Sequence, residues 1–409
     1  MGGAKERWLE QHEEHGHSLD LDKNLLEVCP DCIADDGLRR FVANHAPIQR
    51  CDFCGGPRPQ GLSLGVLFDY MGDRISTEWD RAIDELFYGE GDEVWESGGA
   101  TVYDASDLLS ELDEPLANDE LREAFVDAFP DDRISRHAFR LAYHEQLAYG
   151  WETFARFVKE QSRFLFLRTG GQQEGDVELI PPAQLLEELG KALENGDLIR
   201  ILQPGERQLY RARQHGPEDT LATPAELGSP PRERSGANRM SPAGIPMFYG
   251  SEDSETALAE LRLEPAPRLA TVGAWATARR LRYLDLVDVD VPSLFDVVGK
   301  RQRPWRLFLD GFAADVSQPA SPGGAAVDYV PTQVFTEYVR HMLGGSDPVR
   351  GIRYRSAIRP EGVSWVLFVD AGGCTEASPA WEADPRHWLG LDRSSLQRFE
   401  PVSGWRQIL

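Results

Sequence analysis

Nowhere in the 409 residues is there a run of about 18 apolar side chains, so nothing in the sequence is built to span a bilayer. The opening stretch MGGAKERWLEQHEEHGHSLD is charged throughout and lacks the apolar segment of a signal peptide, which makes a cytoplasmic location the expectation. Basic residues are in deficit: 43 Lys and Arg face 68 Asp and Glu, for a formal net charge of −25. So acidic a surface repels phosphate backbones, and nucleic-acid binding is not expected. From Glu90 to Asp132 there are 15 acids and a single base, Arg122, which reads as a solvated acidic face. Phosphate-binding signatures are missing as well. No G-x-x-x-x-G-K-[ST] occurs and no G-x-G-x-x-G follows a strand-like run, so a Walker ATPase or a Rossmann dehydrogenase has no support. Cysteine is sparse, at five residues. One of them, Cys374, stands alone and reads as a small buried or loop thiol.

What is present is enough for folded domains. Apolar residues make up 41% and aromatics 10% of the chain, so a sizeable core is available. At roughly 150 residues per domain the length suggests two or three of them. The four remaining cysteines form two pairs, Cys29-Pro-Asp-Cys32 and Cys51-Asp-Phe-Cys54, in the pattern C-x2-C-x18-C-x2-C. Two thiolates two residues apart can grip one metal ion on a tight turn, and a second such turn completes a tetrahedron of sulfurs. Disulfides or a redox pair are disfavoured in a reducing compartment. The spacing predicts zinc held by Cys29, Cys32, Cys51 and Cys54, and four thiolates leave no open position, so its role is structural. The nearby His12, His15 and His17 do not form H-E-x-x-H and read as a solvated arm. Gly61-Leu62-Ser63-Leu64-Gly65 matches the G-x-S-x-G nucleophile elbow, but it follows a cysteine knuckle and a Pro-rich turn, not a strand, and is set aside.

Helical periodicity dominates as far as about residue 168. Ser76 is a candidate cap for a helix carrying Trp79, Ala82, Ile83, Leu86 and Phe87. Ser106 or Asp107 can start the next helix, and Asn118 or Asp119 a third. A longer helix carries Phe139, Tyr143, Leu147, Trp151, Phe154 and Val158 along one side, a stripe read as core. Residues 169–178 look like a linker, and Pro181-Pro182 open a short helix ending near Asn195-Gly196. Beyond about residue 198, short strand-like runs appear at 198–202, 208–213, 246–249, 270–275, 281–286 and 364–369, with helical patterns at 254–262 and 332–343. Two loops rich in Pro, Gly and Ser, 214–237 and 313–326, are long enough to act as lids. The expected domains are 1–60, an N-terminal arm with a four-cysteine zinc knuckle; 61–168, helical; 169–197, a linker and short helix; and 198–409, a mixed α/β domain.

Within that last domain a set of segments stands out. They are Leu209-Tyr210-Arg211-Ala212-Arg213, the run from Asn238-Arg239-Met240-Ser241 through Gly244 to Tyr249-Gly250-Ser251, Thr256 to Glu260, Pro331-Thr332-Gln333, and Gly351-Ile352-Arg353-Tyr354-Arg355-Ser356. This set resembles the RES family, named for an arginine, a glutamate and a serine. Family members look like ADP-ribosyltransferase-type folds and act on NAD⁺, many as toxins of bacterial toxin–antitoxin pairs. The resemblance spans about residues 198–370. It implies an α+β protein in which a zinc knuckle and helical region precede an ADP-ribosyltransferase-like RES domain. It places the family arginine on Arg211, the tyrosine on Tyr249, the glutamate on Glu260 and the serine on Ser356 as catalytic residues, with Arg213 a rival for the first role. Substrate contacts are implied at Arg213, Asn238, Arg239, Ser241 and Gly244. Met240 stands where many relatives carry an aromatic residue. The region before the RES domain is similar to HEPN-like regions fused ahead of such domains. HEPN nucleases pair an Arg with a His a few residues on; here only Arg39 and Arg40 precede His45 suitably, inside the cysteine segment, and no nuclease is inferred.

The residue types suit NAD⁺ on their own chemistry. A guanidinium fork pairs with the pyrophosphate in a planar, bidentate way, for which Arg211 and Arg239 are candidates. The Tyr249 ring can face cationic nicotinamide. Breaking the C–N glycosidic bond develops positive charge on ribose, as in glycoside hydrolysis, and a fixed carboxylate such as Glu260 opposes that charge or activates the nucleophile. The resemblance therefore implies an NAD glycohydrolase or phosphorylase, a toxin or defence effector controlled by a regulatory protein or antitoxin. The alternatives are an ADP-ribosyltransferase modifying a protein, or a non-catalytic zinc-and-helix interaction protein. Arg239, Arg353 and Arg355 are expected to add positive potential for an incoming phosphate.

Overall fold

The computed structural model describes residues 26–56, 60–81, 87–88, 95–96, 102–129, 134–136, 141–165, 180–261, 268–321, 323–378, 384–401 and 405–408. The histidine arm and the expected linker at 169–178 lie outside these residues. The chain divides into two compact units, one of residues 1–145 and 291–304, the other of residues 146–290 and 305–409.

In the first unit, β1 (Glu27–Val28) pairs antiparallel with β2 (Leu62–Ser63), helix α1 (Asp36–Ala43) lies between them in sequence, and α2 (Leu64–Ile75) follows β2 directly. Asp35 caps α1 by accepting from Leu38 N at 2.7 Å, a short acidic side chain doing what helix N-termini require. Ser76 ends α2 and caps no new helix. The chain turns, and Trp79 enters β3 (Trp79–Arg81). Trp79 is buried edge-on against Tyr103, ring centroids 5.0 Å apart, so the burial of a large aromatic overrides the helical spacing there. The described residues of β4 (Phe87–Tyr88) and β5 (Trp95–Glu96) form a two-stranded ladder. β6 (Val102–Tyr103) and β3 flank β7 (Ile134–Arg136). Helix α4 (Asp119–Ala128) starts from the expected Asn118 cap, whereas α3 (Ala105–Glu111) is capped by Asp104, with Ser106 and Asp107 inside its first turn and donating their amides to the Asp104 carboxylate. Contrary to expectation the Gly61–Gly65 run does pass from a strand, Leu62–Ser63, straight into α2, but among the described residues no histidine or carboxylate hydrogen-bonds Ser63.

Residues 291–304 complete this unit. Leu294 and Phe295 join its buried core with Leu38, Leu67 and Met71. Tyr70 Oη and Arg74 Nε donate to the carbonyls of Phe295 and Leu294 at 2.6 and 3.0 Å. Arg40 pairs with Asp296 and Arg303 with Glu78. Gly37 makes the approach possible, because a Cβ there would stand 2.8 Å from Asp296 N.

The second unit carries helices α5 (Tyr143–Glu160) and α6 (Pro182–Asn195), then β8 (Ile199–Leu202), β9 (Gln208–His215), α7 (Pro224–Leu227), β10 (Phe248–Ser251) and α8 (Ser254–Ala259). There follow β11 (Leu269–Thr277), β12 (Leu281–Asp285), α9 (Arg303–Val316), α10 (Ala325–Asp328), α11 (Val330–Met342), β13 (Val349–Arg355), β14 (Val363–Leu367), β15 (Cys374–Glu376), β16 (Leu389–Pro401) and β17 (Trp405–Ile408). The strands make one mixed sheet, ordered β15-β16-β11-β9-β10-β14-β13-β12-β8, with β17 on β16. Among the described strands of this sheet, only β12/β13 and β15/β16 are parallel. The expected α+β class is what the chain adopts. The loop expected at 313–326 is shorter than its composition suggested, because α9 runs to Val316 and α10 begins at Ala325. The end of α9 was hidden among small residues.

Register sorts the sheet into two faces. Phe248, Trp365 and Leu367 point into an apolar core with Leu209 and Trp275. Tyr249 opposite Val366, and Ser251 opposite Ser364 opposite Tyr354, point to the other face. Gly250 lets β9 come close: a Cβ there would meet the Phe248 ring at 2.9 Å and the Tyr210 carbonyl at 3.2 Å.

Candidate active site and metal centre

The four paired cysteines form a candidate metal centre in the first unit. Cys29 precedes a 3-10 turn whose end is Cys32, with Cys32 N donating to Cys29 O at 3.2 Å. The second turn closes through Gly55 N to Cys51 O at 2.9 Å, and Gly55 takes φ +71°, a left-handed value that suits glycine. Asp52 ties this turn to β1, its carboxylate accepting from Glu27 N at 2.6 Å. The four sulfurs lie within 4.8 Å of one another. Cys29–Cys54, Cys32–Cys51 and Cys29–Cys32 separations are 3.6, 3.8 and 3.9 Å. A tetrahedral ion with bonds of about 2.3 Å to sulfur requires edges of about 3.8 Å. The four cysteines therefore fit a metal ion as they stand. Burial pushes the Cys29 and Cys32 thiols up, while the Gly56 backbone pulls exposed Cys54 down to about 7. A cation among them would supply the charge that burial otherwise opposes.

The second unit gathers the residues implied by the family resemblance. α8 begins at Asp253, whose carboxylate accepts from Thr256 N at 2.7 Å, and lasts six residues. Glu260 closes it. Its carboxylate Oε1 accepts from Ser356 Oγ at 2.5 Å and from Ser364 Oγ at 3.4 Å. Tyr249 Oη meets Ser241 Oγ at 2.8 Å, and burial holds the phenol up at about 12. Tyr354 is buried on the same face, close enough to Glu260, Tyr249, Arg239 and Tyr329 to feel their charges. Burial first, then Glu260, raises it well above the phenol range. Neither Tyr354 nor Tyr329 was singled out by chemistry in the sequence. Tyr354 carried a signal, standing two places before Ser356 and so on the same strand face.

The turn from Asn238 to Ser241 is fastened by α11. Gln333 Nε2 donates to the carbonyls of Asn238 and Ser241 at 2.8 and 3.3 Å, and Thr332 Oγ1 donates to Arg239 O at 2.6 Å. Asn238 itself is exposed and its amide donates to Gly236 O. Gly244 is exposed at φ +83°, and a Cβ there would meet nothing within 4 Å, so its value lies in the turn. Arg239 stacks over the Tyr329 ring at 5.2 Å and donates to the carbonyls of Val316, at 3.0 Å, and Gln318. Met240 points into the core, fully buried against Thr336.

Arg211 and Arg213 stand apart from Glu260. Ser251 opposite Tyr210 puts Tyr210 on the Glu260 face, and Arg211 on the other, over the Phe248 ring at 5.1 Å. Arg211 is joined to the set through its Nη1, which donates to the Tyr249 carbonyl at 2.5 Å. Its Nε is buried and has no partner among the described residues. Burial, with Arg213 beside it, pulls the Arg211 guanidinium down to about 10. Arg213 is also held down by burial and by Arg234, and donates to Glu226 O. Two guanidiniums thus share a partly buried place with little negative charge. Arg353 does not belong with them. It is buried between Glu252 at 2.9 Å, Asp285 at 3.1 Å and Asp288 at 2.6 Å, so its charge is spent on an internal network and is not offered to an incoming phosphate. The same Glu252 accepts from Trp365 Nε1 at 2.9 Å. Cys374 is partly buried beside Ser229, as expected of a lone thiol.

A family model described as RES domain matches residues 208–389, and one described as HEPN/RES N-terminal domain 1 matches residues 44–172. The chain thus carries a RES domain, with an HEPN/RES N-terminal domain ahead of it. No curated protein and no solved structure matches it. A RES domain implies an NAD-utilising, toxin-type activity. Among the described residues no helix is long and apolar enough to cross a membrane.

Proposed function

We propose that the RES domain cleaves the nicotinamide–ribose bond of NAD⁺ and passes ADP-ribose to water or inorganic phosphate, and that the cysteine quartet holds a structural zinc ion. The observation that carries the reading is the meeting of Glu260, Ser356, Tyr249 and Ser241 around the buried Tyr354 on one sheet face, from segments far apart in sequence.

In the proposed reaction the C1″–N bond breaks and its electron pair leaves with neutral nicotinamide. Positive charge grows on the ribose C1″, and the Glu260 carboxylate opposes it. An oxygen of water or phosphate bonds to C1″ and gives up its proton to Glu260 or solvent, yielding ADP-ribose or its 1″-phosphate. Arg211 and Arg213, short of anions in the free protein, are the proposed partners of the pyrophosphate; because they face away from Glu260, this role requires the dinucleotide to pass where β9 and β10 part beyond the Ser251–Tyr210 pair. Tyr249 is the proposed neighbour of the cationic nicotinamide. Arg239, Asn238, Ser241 and Gly244 are proposed to shape the turn over the substrate more than to grip it, since Arg239 and Ser241 already have partners.

The loop after β9 is pinned beside the arginines by Leu227 in the core and by Ser229 Oγ, which donates to Val369 O at 2.6 Å. One feature favours a second reading, transfer to a protein: Glu260 lies exposed, which leaves room for a macromolecular acceptor. Purified protein mixed with NAD⁺ separates the two. Multiple turnover to free nicotinamide and ADP-ribose species supports hydrolysis or phosphorolysis. Turnover confined to labelling of a protein acceptor overturns it. A regulatory protein or antitoxin remains part of the proposal, since an unrestrained NAD⁺-consuming enzyme harms its host.

A further inference from the structure

We propose that Ser356 and Ser364 are positioning residues that fix one oxygen of the Glu260 carboxylate and leave the other for the reaction, rather than substrate ligands. This rests on the reading of Glu260 as the carboxylate that opposes charge on ribose. Both serines are 3% exposed, one just past β13 and one on the neighbouring β14. Both reach the same atom, Oε1, while among the described residues no hydrogen bond reaches Oε2.

The hydrogen-bonding capacity of Ser356 decides its role. A hydroxyl has one proton and two lone pairs. The proton goes to Glu260 at 2.5 Å. The lone pairs accept from Ile358 N at 3.2 Å and Arg359 N at 3.1 Å. Nothing remains for a ribose hydroxyl. The turn that supplies those amides is itself anchored, with Ser356 N donating to Gly362 O at 2.9 Å and Arg359 paired to Glu255, Asp253 and Glu361. Asp253 and Glu255 lie at the start of α8, the short helix that ends on Glu260. Thus the β13–β14 turn holds both ends of α8. It holds the start through Arg359 and the end through Ser356. Ser364 adds a longer contact from the sheet itself, at a position that the family name does not include.

Misplacing a reacting group by about 1 Å can cost about 10²-fold in rate. Steady-state release of nicotinamide by the full chain is the test, with unfolding temperature as a control. Ser356→Ala should lower kcat by about 10- to 10²-fold and Ser364→Ala by less, with KM within about twofold. Ser356→Thr, which keeps the hydroxyl, should recover most of the loss. In a Glu260→Gln background either alanine should cost nothing further, because a residue acting through Glu260 has nothing left to position. If Ser356→Ala unfolds the protein, the Ser364→Ala cycle answers the same question. Raised KM with kcat kept, or a full additional loss in the Glu260→Gln background, would show a direct substrate contact and overturn the proposal. A Glu260→Gln protein as fast as wild type would instead remove Glu260 from the chemistry, and the positioning role with it.

Discussion

Replacing Arg211 by Met separates a ligand-binding role from a structural one. In the free protein the guanidinium is held down to about 10 from an ordinary 12.5, chiefly by burial and then by Arg213. At about 1.4 kcal/mol per unit, keeping that charge in the fold costs at most about 3 kcal/mol, and less where solvent still reaches it. Against this stands the bond from Nη1 to the Tyr249 carbonyl, which for a charged donor contributes about 1.5–3 kcal/mol. Met keeps the apolar contact over Phe248. The two effects nearly cancel, so the ligand-free variant should unfold within about 1 kcal/mol of wild type, or about 2–4 °C. With ADP-ribose at about 100 times its Kd, wild type should gain about 2.7 kcal/mol, or about 5–10 °C, and the variant almost none at the same concentration. Thermal unfolding with and without ADP-ribose reads both quantities. A ligand-free variant that loses more than about 10 °C yet keeps the ligand-induced gain would show Arg211 to be a structural residue and not a partner of the pyrophosphate.

Glu260→Gln should keep the fold and lower kcat for nicotinamide release by about 10²–10³-fold, since it deletes the charge but not the volume; a loss of only a few-fold contradicts this. One zinc per chain should appear by elemental analysis and disappear in Cys51→Ser, with a lower unfolding temperature for the first unit; folded wild-type protein without metal contradicts the assignment. Phe295→Ala removes a fully buried ring from the core of the first unit and should destabilise that unit by about 3–5 kcal/mol in chemical denaturation. For the same reason a fragment starting near residue 176 should be poorly soluble, because Leu294 and Phe295 lose their cover; a fragment as soluble and stable as the full chain would refute it.

The parts of this protein that could be read from its sequence are those governed by short-range rules. The cysteine spacing announced the quartet, because two residues between thiols fix a turn. The strands at β8, β9, β11, β12 and β14 and the helix α11 were legible in composition and period. Trp79 misled, since its spacing from Ala82 and Ile83 is helical while its burial against Tyr103 is a long-range matter. α9 was missed because Gly311, Ala313 and Ala314 diluted its apolar face. Arg353 looked like free positive charge until the fold set it among Glu252, Asp285 and Asp288. The packing of residues 291–304 with the N-terminal segments left no local mark at all. In the candidate site, the resemblance named Arg211, Tyr249, Glu260 and Ser356, but only three-dimensional pairing puts Arg211 on the opposite sheet face from Glu260 and fills the hydroxyl of Ser356.

Whether this chain breaks the nicotinamide–ribose bond of NAD⁺ and hands ADP-ribose to a small acceptor is decided by its products. Chromatography or NMR of purified protein with NAD⁺, run with and without inorganic phosphate, identifies them. Many turnovers to free nicotinamide with ADP-ribose or its 1″-phosphate are expected, slowed about 10²–10³-fold in Glu260→Gln. No free nicotinamide under either condition, or nicotinamide released only as a protein becomes ADP-ribosylated, would refute the proposed reaction.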